Sequence, residues 1–256
     1  MPRHHADEHD VAVIGITSAR SGDWKRGVAA NVAARLAADG ACSVAVVDCD
    51  SAGRDIGDRL GVETHACVEW PPLTVVPACA MVDLRAARTS IERVAATHDL
   101  VVVDLPLGAG APGPALDAEL LAPIDRLVVA TDLSSSALRA TARWVELVGI
   151  AQRAGGIPDQ VEIVIAVVGE SVGTTSERLV LAAMLGAAVV AGVPQYWGRT
   201  PPNFGFGPTL GFPELDDALR AVGCVQRGGY AANPDHACSA SGHKRSIAHR
   251  AVASVK

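Results

Sequence analysis

The chain has 256 residues, enough for one large α/β domain and marginal for two. Apolar residues make up 49% of it and aromatics only 4%, so a sizeable core has to be built from Ala, Val and Leu. A net charge of −6 supplies no global basic field, so nucleic acid is not an expected ligand on charge.

Residues 1–10 are polar, contain His4, His5 and His9, and carry no apolar stretch of the kind a signal peptide needs. They are expected to be a flexible N-terminus. No apolar run reaches the ~18 residues that would mark a membrane span. Six cysteines (Cys42, Cys49, Cys67, Cys79, Cys224 and Cys238) form no C-x-x-C pair and several sit in apolar runs. They are read as reduced thiols of a cytoplasmic protein.

Short Val/Ile runs then alternate with longer Ala/Leu/Arg stretches. The first strand is expected at 11–17. A polar, Gly-containing loop follows, and Val28, Val32 and Leu36 recur at helical spacing up to Gly40. Further strands are expected at 43–48, 73–76, 100–104, 127–131, 161–168 and 188–193. Helices are expected near 86–97, 115–121, 134–154, 174–185 and 213–222. Segment 51–72, ending in Trp70-Pro71-Pro72, reads as a loop-rich crossover. Residues 224–256 shift to Gly, Ser, His, Lys and Arg without periodicity and read as a flexible tail. This order gives one α/β domain over 11–223: a doubly wound, mostly parallel sheet with helices on both faces. In such a sheet ligands bind outside the carboxyl ends of the strands. Three of those junctions, 17–27, 48–55 and 104–114, carry polar or Gly-rich sequence.

The first junction reads Arg20-Ser21-Gly22-Asp23-Trp24-Lys25-Arg26-Gly27. A loop entering a helix binds phosphate through backbone N–H groups, the helix N-terminus and a Lys charge. The usual pattern, G-x-x-x-x-G-K-[ST], is not met, because Trp24 precedes Lys25 and Arg26 follows it. Alone, the segment reads equally as a phosphate site or as a polar turn.

Residues 11–219 nevertheless resemble the ParA/MinD family of deviant Walker ATPases, which are P-loop NTPases. The family's loop reads K-G-G-x-G-K-T-T and leads into a helix with N-L-A. Asn31-Val32-Ala33 sets the register without a gap. Lys25 then falls on the phosphate-binding lysine, and Arg20 on the signature lysine that reaches the partner subunit's nucleotide. Gly22 keeps one loop glycine, Trp24 replaces another, and Arg26 replaces the hydroxyl residue that holds Mg2+. Val46-Val47-Asp48-Cys49-Asp50 resembles the family's V-D-x-D segment and runs on into Arg54-Asp55-Ile56-Gly57-Asp58-Arg59-Leu60-Gly61. His98-Asp99-Leu100-Val101-Val102-Val103-Asp104-Leu105-Pro106 resembles the Walker B segment. Ile124-Asp125-Arg126-Leu127-Val128-Val129-Ala130-Thr131, with Ser134-Ser135-Ser136-Ala137-Leu138, resembles A-D-x-x-x-x-V and the helix start after it.

The resemblance implies an ATP or ADP site. Asp50 would be the catalytic carboxylate that positions the attacking water. Asp48 and the loop residues Arg20, Ser21, Gly22, Asp23, Trp24, Lys25, Arg26 and Gly27 would line the nucleotide, and Asp104 would bind Mg2+ through water. The bland alternatives are a solvated turn for Asp48 and Asp50 and a loop-capping role for Asp104. The departures weigh against turnover. Arginine has no lone pair for a metal, Trp24 adds bulk where Gly admits a close anion, and Ala166-Val167-Val168-Gly169-Glu170 lacks the family's adenine-reading Asn. The expectation is a hydrolysis-impaired, nucleotide-binding homodimer of spatial organisation, at most a weak ATPase, with Mg2+ in doubt. The alternatives are a slow Mg-ATPase, with Ser21 replacing the lost hydroxyl, and an interaction scaffold that binds no nucleotide.

Three features lie beyond this frame. Residues 195–207 concentrate aromatics after Pro194, which matches the end of the family's last strand, and are expected to contact a partner or cover the base. The tail at 243–256 is basic, with Ile247, Ala251 and Val255 on one face. It lacks the bulky apolar residues of a membrane-binding helix, so weak or no membrane binding is expected. His236, Cys238, His243, Cys224 and His249 match no zinc spacing.

Overall fold

The structure, a computed structural model, describes residues 12–20, 24–38, 43–50, 56–60, 68–70, 73–77, 83–106, 118–159, 161–169 and 175–194. All of these lie in the first of two compact units, Met1–Gln226. In chain order the elements are β1 (Ala12–Ser18), α1 (Trp24–Ala38), β2 (Val44–Asp48), α2 (Ile56–Leu60), β3 (Val68–Trp70), β4 (Leu73–Val76) and α3 (Leu84–Ala95). They continue with β5 (Leu100–Asp104), α4 (Ala118–Leu121), β6 (Arg126–Thr131), α5 (Ser135–Arg153), β7 (Glu162–Gly169), α6 (Thr175–Leu185) and β8 (Ala188–Pro194).

Among the described residues the strands form one sheet in the order β3-β4-β2-β5-β1-β6-β7-β8. Seven strands are parallel, and the short edge strand β3 runs antiparallel to β4. The seven Val/Ile runs become these seven strands because a parallel sheet is covered on both faces, so both sets of alternating side chains are apolar. In β5, Leu100 and Val102 point into one core, and Val101 and Val103 into the other. The first core is closed by α1 and α2, and the second by α3, α4, α5 and α6. Helix α1 presents Ala29, Ala30, Ala33, Ala34 and Ala37, all buried. Their small side chains let it lie close on the sheet.

Local chemistry sets the ends. Asp83 caps α3 by accepting from the Ala86 amide at 2.8 Å, and Ser134 caps α5 through the Ala137 amide. Gly155 and Gly186, at φ 72° and 73°, turn the chain out of α5 and α6. At the amino ends of the strands, Asp125 accepts from the Val13 amide at 2.8 Å, and Asp99 accepts from the amide and hydroxyl of Ser43. Both aspartates belong to segments that carry the family resemblance. Here they clamp neighbouring strand starts, at the end of the sheet opposite the polar junctions.

Several boundaries differ from the sequence reading. Segment 51–72 is not all loop, since it contains α2 and β3. Both are too short to show a period. Helix α3 starts two residues earlier than expected, at the Asp83 cap. The N-terminus, the expected helix at 213–222, the aromatic segment at 195–207 and the tail from 224 lie outside the described residues.

Candidate functional site

The sheet order reverses about β1: the chain moves outward through β2 on one side and later through β6, β7 and β8 on the other. The crevice this leaves lies at the carboxyl end of β1, where α1 begins. Lys25 and Arg26 sit in the first turn of α1, Asp48 ends β2, Asp50 follows two residues on, and Asp104 ends β5. Asp48 pairs with Asp104 in the β2–β5 register, which brings three carboxylates to one sheet end.

The charges meet inside the protein. Lys25 is 1% exposed. Its Nζ donates to Asp50 Oδ2 at 2.7 Å, to Asp104 Oδ1 at 2.7 Å and to the Leu105 carbonyl at 2.5 Å. An ammonium has three protons, and these three acceptors take all of them. Arg26, its side chain 7% exposed, donates from Nη2 to the Asp50 carbonyl at 3.1 Å. The same nitrogen lies 3.1 Å from Asp50 Oδ2, while Nε lies 3.5 Å from Asp104 Oδ2. Asp104 Oδ2 accepts no hydrogen bond, so its neighbour in charge is the guanidinium.

Asp48, also fully buried, accepts from the Asp50 amide through Oδ1 and from the Ile56 amide through Oδ2, both at 2.9 Å. It therefore fixes the turn that presents Asp50 and the start of α2. The end of β5 is held by the Cys49 amide to the Asp104 carbonyl (2.9 Å) and by the Leu105 amide to the Ile16 carbonyl (2.9 Å). Thr17 Oγ1 adds a bond to the Pro106 carbonyl at 3.0 Å.

Burial disfavours the ionised form of Asp104 and pushes its carboxyl up to about 6, with Asp50 adding to the rise and Lys25 and Arg26 opposing it. Burial, then Asp104 and Asp48, push the Cys49 thiol far above its ordinary value. Both causes favour the protonated form of the Cys49 thiol.

Lys25, Arg26, Asp48, Asp50 and Asp104 converge at the carboxyl ends of β2 and β5 and the start of α1. Asp48 and Asp50 are not a solvated turn, since both are buried. Arg20 does not join them: it is exposed and donates from Nη1 to Ser136 Oγ at 2.7 Å, at the start of α5. A cavity of about 150 Å3 lies beside it, lined by Ser18, Ala19, Thr131 and Asp132 among others. Gly27 is buried in α1, where its carbonyl accepts from Asn31 at 2.7 Å. Ser21, Gly22 and Asp23 lie outside the described residues, and Trp24 is described in its backbone only. Sequence reasoning did not foresee the Leu105 carbonyl as a ligand of Lys25, nor Arg26 reaching both carboxylates. The signal for the second was present, as two adjacent cations and three carboxylates at converging junctions.

Comparison of the sequence with protein-family models and with curated proteins yields no match. Solved structures do match. The septum site-determining protein MinD with Mg-ADP from Pyrococcus horikoshii superposes with a TM-score of 0.58 at 16% identity, covering 83% of this chain and 96% of that one. A ParA family ATPase from Chlorobium tepidum gives 0.56 at 18% identity, over 82% of this chain and 90% of that one. An McdA variant from Cyanothece in complex with ATP gives 0.58 at 12% identity, over 83% and 95%. The chain therefore has the fold of the ParA/MinD ATPases, a P-loop NTPase fold, as its strand order and motif spacing imply.

Proposed function

We propose that the protein is a ParA/MinD-like nucleotide-binding protein of spatial organisation whose site does not carry out ordinary Mg-ATP hydrolysis. It works as a nucleotide-responsive or constitutive homodimeric scaffold in partitioning, division-site placement, or secretion and pilus localisation. The observation that carries the impaired-hydrolysis reading is the commitment of Lys25: all three of its protons go to Asp50, Asp104 and Leu105. A phosphate has to displace at least one of these acceptors before it meets the ammonium. Asp50, the carboxylate available to orient water, is tied to both Lys25 and Arg26. Phosphoryl transfer needs a metal, an oriented water and cations directed at the developing charge. Here the cations are directed at the protein's own carboxylates.

Mg2+ does not fit these residues. It requires oxygen ligands in octahedral array, whereas Asp50 and Asp104 face an ammonium and a guanidinium, and arginine offers a metal no lone pair. Similarity to structures holding Mg-ADP and ATP supports retention of a nucleotide pocket, and a MinC:MinD complex among the matches supports a protein partner. Among the described residues no helix is long and apolar enough to cross a membrane.

Thermal unfolding with ATP and with ADP, each with and without Mg2+, tests the reading. A ligand bound to the native state raises the midpoint by mass action. The reading predicts a rise that does not depend on Mg2+. A rise only with Mg2+ would support the slow Mg-ATPase instead, and no rise would support an interaction scaffold without nucleotide.

A further inference from the structure

The geometry points to Arg26 as a built-in replacement for a divalent cation, a guanidinium that permanently holds Asp50 and Asp104 together in the absence of metal. Two buried carboxylates that both reach one ammonium at 2.7 Å carry two negative charges against one positive. The pair needs a second positive charge, because an uncompensated buried ion is costly. A protein meets that need with a proton, a metal ion or a cationic side chain. Arg26 supplies the side chain. Its guanidinium spans the pair, with Nη2 at 3.1 Å from Asp50 Oδ2 and Nε at 3.5 Å from Asp104 Oδ2. The Asp104 oxygen that takes no hydrogen bond is the one facing that Nε. Nη2 also grips the backbone carbonyl of Asp50, so the guanidinium fixes the β2 turn as well as its charge. The planar fork of a guanidinium matches carboxylate geometry. The balance of charge is therefore independent of the metal supply.

The reading of this site as one without Mg-ATP turnover rests on the same residues, so the test uses the full-length protein with Mn2+ alone and no nucleotide. Mn2+ binding is read from the loss of the free-ion signal in electron paramagnetic resonance and from thermal unfolding. Wild-type protein is expected to bind no Mn2+ at this site. Arg26→Ser removes one positive charge from beside the carboxylates and adds a hydroxyl oxygen. It is expected to bind one Mn2+ at this site, so that its affinity exceeds any residual wild-type binding by at least about tenfold. The double variant Arg26→Ser with Asp104→Asn is expected to lose that site.

Equal Mn2+ affinity in Arg26→Ser and wild type overturns the inference, as does Mn2+ binding by wild type that Asp104→Asn abolishes. Should Arg26→Ser not fold alone, refolding from denaturant decides: recovery only with Mn2+ supports the inference, and no recovery in either condition overturns it. A failed nucleotide shift in wild type would remove the proposed function and leave these outcomes untouched.

Discussion

Replacing Lys25 by Met keeps most of the side-chain volume and removes the ammonium. Three contacts vanish, to Asp50 at 2.7 Å, Asp104 at 2.7 Å and the Leu105 carbonyl at 2.5 Å. Arg26 stays beside the two buried carboxylates, which have lost the ammonium between them. Removing one member of a buried ion network costs about 3–5 kcal/mol, because the partners stay buried without compensation. Domains of this kind are stable by only ~5–15 kcal/mol, so the loss is a large share of the total. In urea unfolding at pH 7.5 with unchanged slope, the midpoint should fall by about 1.5–2.5 M for a slope of ~2 kcal/mol/M. The deficit should shrink at pH 5, where Asp104 takes up a proton and needs no cation. Lys25 is one of the groups that oppose the upward push of burial on that carboxyl. A loss below about 1 kcal/mol at pH 7.5, the range of an exposed pair, would refute the reasoning. So would an equal loss at pH 5 and pH 7.5.

Three further outcomes follow from the same geometry. Because burial raises the carboxyl of Asp104 from 3.8 to about 6, the native state holds that proton more tightly than the unfolded chain. Its contribution is fully present below the unfolded value and is lost as the pH climbs through about 6; at 1.36 kcal/mol per unit the limit is about 3 kcal/mol. Asp104→Asn should flatten the dependence of the urea midpoint on pH between 4.5 and 7 (about the window of the shift). Gly15→Ala would place a Cβ 2.7 Å from Leu105 Cδ1 and 3.3 Å from Ile124 and Leu127; overpacking of this kind should cost about 1–3 kcal/mol in the same assay. Asp48→Ala leaves the Asp50 and Ile56 amides without their carboxylate acceptor. It should cost about 2–4 kcal/mol and speed hydrogen exchange at those two amides.

The sheet was legible because a parallel strand covered on both faces is a short, continuous Val/Ile run, and all seven parallel strands have one. α2 and β3 were not legible. Five and three residues show no period, and what orders the start of α2 is a distant contact, the Asp48 carboxylate on the Ile56 amide. The positions of Lys25, Asp48, Asp50 and Asp104 followed from motif spacing, since each stands at a strand end or helix start that spacing locates. Their pairing did not follow. Spacing cannot say whether a lysine at a helix start faces solvent or turns inward onto two carboxylates, a choice settled by burial and by the loop carrying Leu105. Asp99 and Asp125 show the reverse case: residues legible as motif members whose contacts are with the backbone and side chain of neighbouring strand starts.

The central claim is that Lys25 and Arg26 serve the protein's own carboxylates in place of a transferring phosphate. Steady-state phosphate release from Mg-ATP by the purified full-length protein tests it most directly. The account predicts release indistinguishable from a Lys25→Met control. Turnover at the rate of an active MinD-type ATPase, lost in that control, would contradict it.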